Sequence, residues 1–203
     1  MKSLTEERIA KINRFWFGRV EETIVPSERR AKIWFGEDPE IDAIIRSDFM
    51  QDVEAAESGV YDVWAESSRG QLALILLLDQ FPRHVYRQHS RAFNTDERAL
   101  EVCLQGISQG DDHKLSLIER VFYYFPLLHS ENLDYQERSL ENYRVLSEMA
   151  FSETRVIYDS FLKFANHHYS IIRRFGRFPQ RNEALGRGSS SMELAYLSEI
   201  VDS

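Results

Sequence analysis

An all-helical fold is predicted, on three observations. Leu72–Leu78 is an unbroken apolar run, rich in Leu and poor in β-branched residues, which favours helix over strand. Apolar residues recur at i, i+3, i+4 and i+7 through Ser152–Phe175. Nine Gly and five Pro are few for a turn-rich β protein, and no segment alternates as a strand does. The 203 residues suit a single all-helical domain, 1–203, of roughly nine to eleven helices packed as hairpins.

Ser3 and Glu6 fit a capping box opening a helix from about Leu4 to Phe17, with Gly18 as its stop. A short helix follows Ser27, through Arg30 to Trp34-Phe35. The Gly36–Pro39 turn leads into a helix with Asp38 as N-cap and Pro39 at N1. Ile41, Ile44, Ile45, Phe49, Val53 and Ala56 give that helix an apolar stripe, and Gly59 lies just past its end. Gly70–Arg83, GQLALILLLDQFPR, is the centre of the chain. A helix apolar on every side must be covered on every side, and this one is too short to span a bilayer. His84–Phe93 is helical or irregular. Asn94-Thr95-Asp96 starts a helix bearing Ala99, Cys103 and Ile107 that ends near Gly110.

Ser116 and Glu119 form a second capping box for Leu117–Leu128, which Pro126 should kink or divide. A less regular helix runs through Leu133, Leu140, Tyr143 and Met149. In the long helix near Ser152–Phe175 the stripe is Ile157, Phe161, Phe164, Ala165, His168, Ile171, Ile172 and Phe175, with Gly176 at C′. Arg177–Arg187 is a loop rich in Arg, Asn and Gly. Ser190 and Glu193 cap a last helix through Val201.

Composition narrows the function classes. Apolar residues make 43% and aromatics 12%, so the chain is not disordered. A net charge of −8 and pI near 5.3 disfavour nucleic acid and anionic membrane as partners. The N-terminus lacks the apolar core of a signal peptide. The single Cys103 rules out an internal disulfide and a cysteine zinc site. A soluble, cytoplasmic protein is expected, with no metal or cofactor.

Three polar strings interrupt the apolar pattern. Asp79, Gln80 and Arg83 end the buried central helix, where a carboxylate needs a cation. His129 and Glu131 follow Pro126. They lie two apart, so a metal pair there needs a non-helical bend. His168 stands on the apolar stripe, where it is either a hydrogen-bonded core histidine or an imidazole presented to a polar cavity. Arg174, Arg177, Arg181 and Asn182 follow, a local reversal of sign. Arginine recognises carboxylate and phosphate through paired hydrogen bonds. Phe175, Phe178 and Pro179 interleave with these arginines and should dock the loop. At least one of Arg174, Arg177 and Arg181 is expected to pair with Asp79 or Glu131. No nucleophile elbow, H-E-x-x-H, Walker or Rossmann pattern is present.

LALILLLDQFPR (Leu72–Arg83), FPLLHSENLDYQ (Phe125–Gln136) and His168 with IIRRFGRFPQRNEALGR (Ile171–Arg187) resemble the bacterial family called domain of unknown function 924. FWFG (Phe15–Gly18), Trp34-Phe35 and Trp64 also fit. The resemblance covers nearly the whole chain. It implies an all-helical, tetratricopeptide-like superhelical array of packed antiparallel helices, and it carries no activity. The family's histidine in FPHRN is Gln180 here, and its LGR-x-ST ending reads LGRGSS.

Three functions compete. One is a binding protein whose ligand, a small anion or a peptide carboxylate, sits among Asp79, Gln80, Arg83, His129, Glu131, His168, Arg174, Arg177, Arg181 and Asn182. Another is a metal-independent enzyme with His168 or His129 as general base. The third is a structural or interaction module whose polar network only fixes the fold.

Overall fold

The apolar run forms the buried axis of the molecule: every residue from Leu72 to Leu78 is at most 1% exposed. The computed structural model describes residues 3–19, 26–36 and 38–201. Met1 and Lys2 of the N-terminal stretch and Glu37 of the predicted turn lie outside them. The described residues form helices and no strand. In order, the α-helices are α1 (Leu4–Phe17), α2 (Glu28–Phe35), α3 (Pro39–Glu57), α4 (Ser68–Ile75), α5 (Phe81–Val85) and α6 (Asp96–Gln109). Then come α7 (Leu117–Tyr123), α8 (Phe125–His129), α9 (Leu133–Met149), α10 (Arg155–Phe175) and α11 (Ser191–Val201). None of them is long and apolar enough to cross a membrane.

The predicted ends have physical causes that the structure retains. Ser3 and Glu6 exchange both bonds of a capping box. Asp38 caps α3 by accepting from Glu40 N–H at 2.9 Å. Ser190 and Glu193 close the box before α11. Gly110 and Gly176 end α6 and α10 in the left-handed conformation, where a side chain would be strained. Pro126 divides its helix, with Tyr124 between α7 and α8. Ile44, at one edge of the α3 stripe, is exposed rather than buried.

The central helix departs from the expected regular form. α4 passes into a π turn, Leu76–Gln80, before α5. Phe81 N–H bonds to Leu76 O, five residues back. The cause lies in Pro82, which has no N–H to give Leu78 and whose ring crowds that carbonyl. Leu78 O receives the Thr95 hydroxyl instead, at 2.6 Å. Single π turns recur at functional sites, and this one carries Asp79.

Around this axis α1, α6 and α7 pack on α4, and α3 packs on α5. α8 lies against α6 and α9, and α9 runs along α10. Trp16, Phe81 and Phe122 are fully buried where these helices meet, and Phe122 stacks on Phe125 at 4.8 Å. A smaller apolar cluster, Ile171, Ile172, Phe178 and Tyr196, holds the C-terminal segment against the end of α10. That docking brings the arginine loop back over the end of α8.

Candidate functional site

Asp79 is fully buried, and its carboxylate has three partners. His129 Nδ1 lies 2.7 and 3.0 Å from the two oxygens, Arg83 Nη1 is 3.4 Å from Oδ1, and Gln80 Nε2 donates to Oδ2. Burial alone would push this carboxyl up. Arg83 and His129 outweigh burial and hold it well below the usual carboxylate range. Arg83 is in place because the α5 turn puts it four residues after Asp79, and its Nη1 also donates to the Asp79 carbonyl. Its Nη2 donates to Asp96 Oδ2 at 2.9 Å.

His129 is the last residue of α8. Gln136 fixes that helix end by donating to Leu128 O at 2.6 Å and Ser130 O at 2.7 Å. These are carbonyls that a helix terminus leaves unpaired. A carboxylate only accepts, so His129 carries its proton on Nδ1. Burial and then Arg83 lower the His129 pKa despite Asp79. The ring is therefore neutral near pH 7. The His168 ring centroid is 6.3 Å away. His168 Nδ1 donates to Phe164 O at 3.0 Å, which fixes the same tautomer. Burial, and then His129, push its pKa down to about 3. The ring is 9% exposed and hydrogen-bonded, in keeping with its place on the apolar stripe.

Arg181 completes the cluster. Its Nη1 donates to Asp96 Oδ2 at 3.1 Å, so Asp96 joins two guanidiniums. Its Cζ lies 4.9 Å from the Phe93 ring centroid and 4.6 Å from that of Phe178. Arginine stacks well on such faces. Burial and then Arg83 bring its pKa down to about 10, so it remains cationic. Among the described residues Arg181 Nε and Nη2 have no acceptor, and they are not among the fully buried orphaned atoms. The same holds for Nε2 of His129 and of His168.

The remaining candidates lie elsewhere. Glu131 accepts from Arg187 at 2.6 and 3.0 Å and from Phe178 N–H at 2.8 Å. Arg177 forms a two-pronged pair with Glu193, at 2.7 and 2.9 Å, and Asn182 donates to Ser189 Oγ at 3.0 Å. These bonds tie the loop together and onto the body. Arg174 stands over Phe175 and Tyr196.

The expected arginine pairing is thus corrected. Asp79 takes Arg83, Glu131 takes Arg187, and Arg181 goes to Asp96. Arg174, Arg177 and Arg181 form ion pairs with neither Asp79 nor Glu131 because Arg83 and Arg187 already occupy those carboxylates. Nothing in the sequence marks Asp96, Phe93 or Arg187 as site residues. Asp96 has the ordinary look of a first-turn acid, favoured there by the helix dipole. Among the described residues no three His, Cys, Asp or Glu side chains group as metal ligands.

A family model described as a bacterial protein of unknown function, DUF924, matches residues 12–200. A solved structure of a protein of unknown function, ATU0120 from Agrobacterium tumefaciens, is 31% identical, with a TM-score of 0.80. The match covers 96% of this chain and 99% of that one. No curated protein matches.

Proposed function

Because the chain belongs to the bacterial DUF924 family, whose function is unknown, we propose a role from its own residues: a soluble, cytoplasmic binding protein for a small anion or a peptide carboxylate. We take the paired helices as a tetratricopeptide-like superhelical stack acting as one domain. The pocket would be formed by Arg83, Arg181, His129 and His168 above a buried Asp79. One observation carries this role. Arg181 is held between Phe93 and Phe178, spends one nitrogen on Asp96, and has no acceptor for its other nitrogens among the described residues. An arginine immobilised with unspent donors has already met the ordering cost of gripping a carboxylate or phosphate.

A thermal-melting series with succinate, inorganic phosphate, glycerol 3-phosphate and a dipeptide, as free acid and as amide, tests the role. A ligand at a hundred times its Kd adds about 2.7 kcal/mol, or roughly 5–10 °C for a chain of this size. Arg181→Gln should abolish the ligand-induced shift, whatever its own melting temperature. Wild-type protein unmoved by every anion would favour the purely structural network.

A second role, metal-independent general-base catalysis, rests on the Asp79–His129 bond. A carboxylate on Nδ1 orients an imidazole and stabilises the cation formed when Nε2 takes a proton. His129→Gln would then lose turnover while retaining the anion-induced melting shift. Loss of both together would assign His129 to binding alone.

A further inference from the structure

The unspent groups of this cluster differ in kind. Arg181 has only N–H donors to offer. His129 and His168 each have their Nδ1 proton committed, to Asp79 and to Phe164 O, so a neutral ring has only an Nε2 lone pair left. The unspent groups are therefore donors on the arginine and acceptors on the two imidazoles. A ligand made only of acceptors, such as acetate or sulfate, would satisfy the arginine and set oxygen lone pairs against nitrogen lone pairs. A ligand that fits needs an anionic group at one end and a hydrogen-bond donor at the other.

The donor can be narrowed further. Burial, and then Arg83, depress proton binding at His129 against the pull of Asp79, and the same burial penalises an unpaired ammonium brought there. A hydroxyl meets no such penalty. Of the two rings, His129 is the better acceptor, because the Asp79 carboxylate behind Nδ1 adds electron density to the ring. Phe164 is 38% exposed, with its ring 4.3 Å from that of His168, and offers an apolar wall for a short carbon skeleton.

We propose that the ligand is a small hydroxylated anion, its carboxylate or phosphate gripped by Arg181 and its O–H donated to Nε2 of His129. This rests on the anion-binding role above. It excludes amino acids and plain carboxylates as preferred ligands.

Calorimetric titration of the full chain with matched pairs tests it. The carboxylate arm compares glycolate with methoxyacetate, and the phosphate arm compares glycerol 3-phosphate with propyl phosphate. In the arm that binds, the hydroxylated member should be at least about fivefold tighter, the order of one hydrogen bond. Glycine should bind more weakly than glycolate. In Arg181→Gln both members of the pair should weaken together. Equal affinities within both pairs, or a preference for glycine, would overturn the hydroxyl assignment and leave the anion-binding role standing. No binding in either arm would overturn both.

Discussion

Asp79 cannot be neutralised cheaply, because Arg83 and His129 are arranged around its charge. Asp79→Ala should cost about 3–5 kcal/mol in chemical denaturation, most of it from the stranded guanidinium. Combined with Arg83→Ala, the loss should be clearly less than the sum of the single losses, since the two share one interaction. Combined with Arg177→Ala, the losses should simply add, because Arg177 belongs to Glu193. Coupling between Asp79 and Arg177 would mean the arginines are assigned to the wrong acids.

His168 makes a second statement at this scale, and its sign is definite. Its folded pKa of about 3 lies below the ordinary 6.5. Between those values the unfolded chain holds a proton that the native ring refuses. Its contribution to stability is therefore complete above about pH 6.5 and is lost as the pH falls toward 3. His129 is depressed in the same direction. His168→Leu should flatten the fall in stability between pH 6.5 and 4 by up to about 1.4 kcal/mol per pH unit. Denaturation midpoints taken across that range measure it. An unchanged slope would show that the ring charges freely in the native protein.

At the scale of elements, the helices were legible because their ends are local chemistry. Ser3/Glu6, Asp38-Pro39, Pro126 and Gly176 each act within a turn of their own position, and each was readable as written. The π turn was not. It depends on Thr95, far along the chain, supplying the bond that Pro82 denies to Leu78. The candidate cluster divides the same way. Asp79 was legible as a buried acid in need of a cation, with Arg83 four residues on, but its choice of Arg83 over the loop arginines was not. The choice of Arg187 over Arg177 by Glu131 depends on how Phe178 docks, and that is tertiary. His168 stood out because a polar residue broke an apolar stripe, whereas Asp96 did not, since a first-turn acid is ordinary.

Element packing gives its own prediction at Gly106. A Cβ there would overlap the Tyr123 hydroxyl and stand 2.5 Å from Gln71 Oε1. Gly106 lets α6 approach α4 closely at the buried Tyr123–Gln71 bond, 2.7 Å long. Gly106→Ala should destabilise by about 1–3 kcal/mol through overpacking, although alanine favours helix elsewhere. A neutral or stabilised variant would contradict this close approach of the two helices.

For the whole molecule, the fold brings three distant strings to one place: the end of the central axis, the end of α8, and the loop after α10. Their charges balance, with two arginines between Asp79 and Asp96 and two neutral imidazoles beside them. A balanced network with donors and acceptors left over at its edge can receive a neutral-to-anionic ligand without a large electrostatic rearrangement. The long-range imidazole ¹H–¹⁵N spectrum at pH 7 tests this most directly, recorded alone and during titration with glycolate and with inorganic phosphate. Free protein should show His129 and His168 as neutral Nδ1–H tautomers, and at least one anion should shift the His129 Nε2 resonance saturably in wild type but not in Arg181→Gln. A doubly protonated His129, or Nε2 resonances unmoved by either anion, would contradict the account.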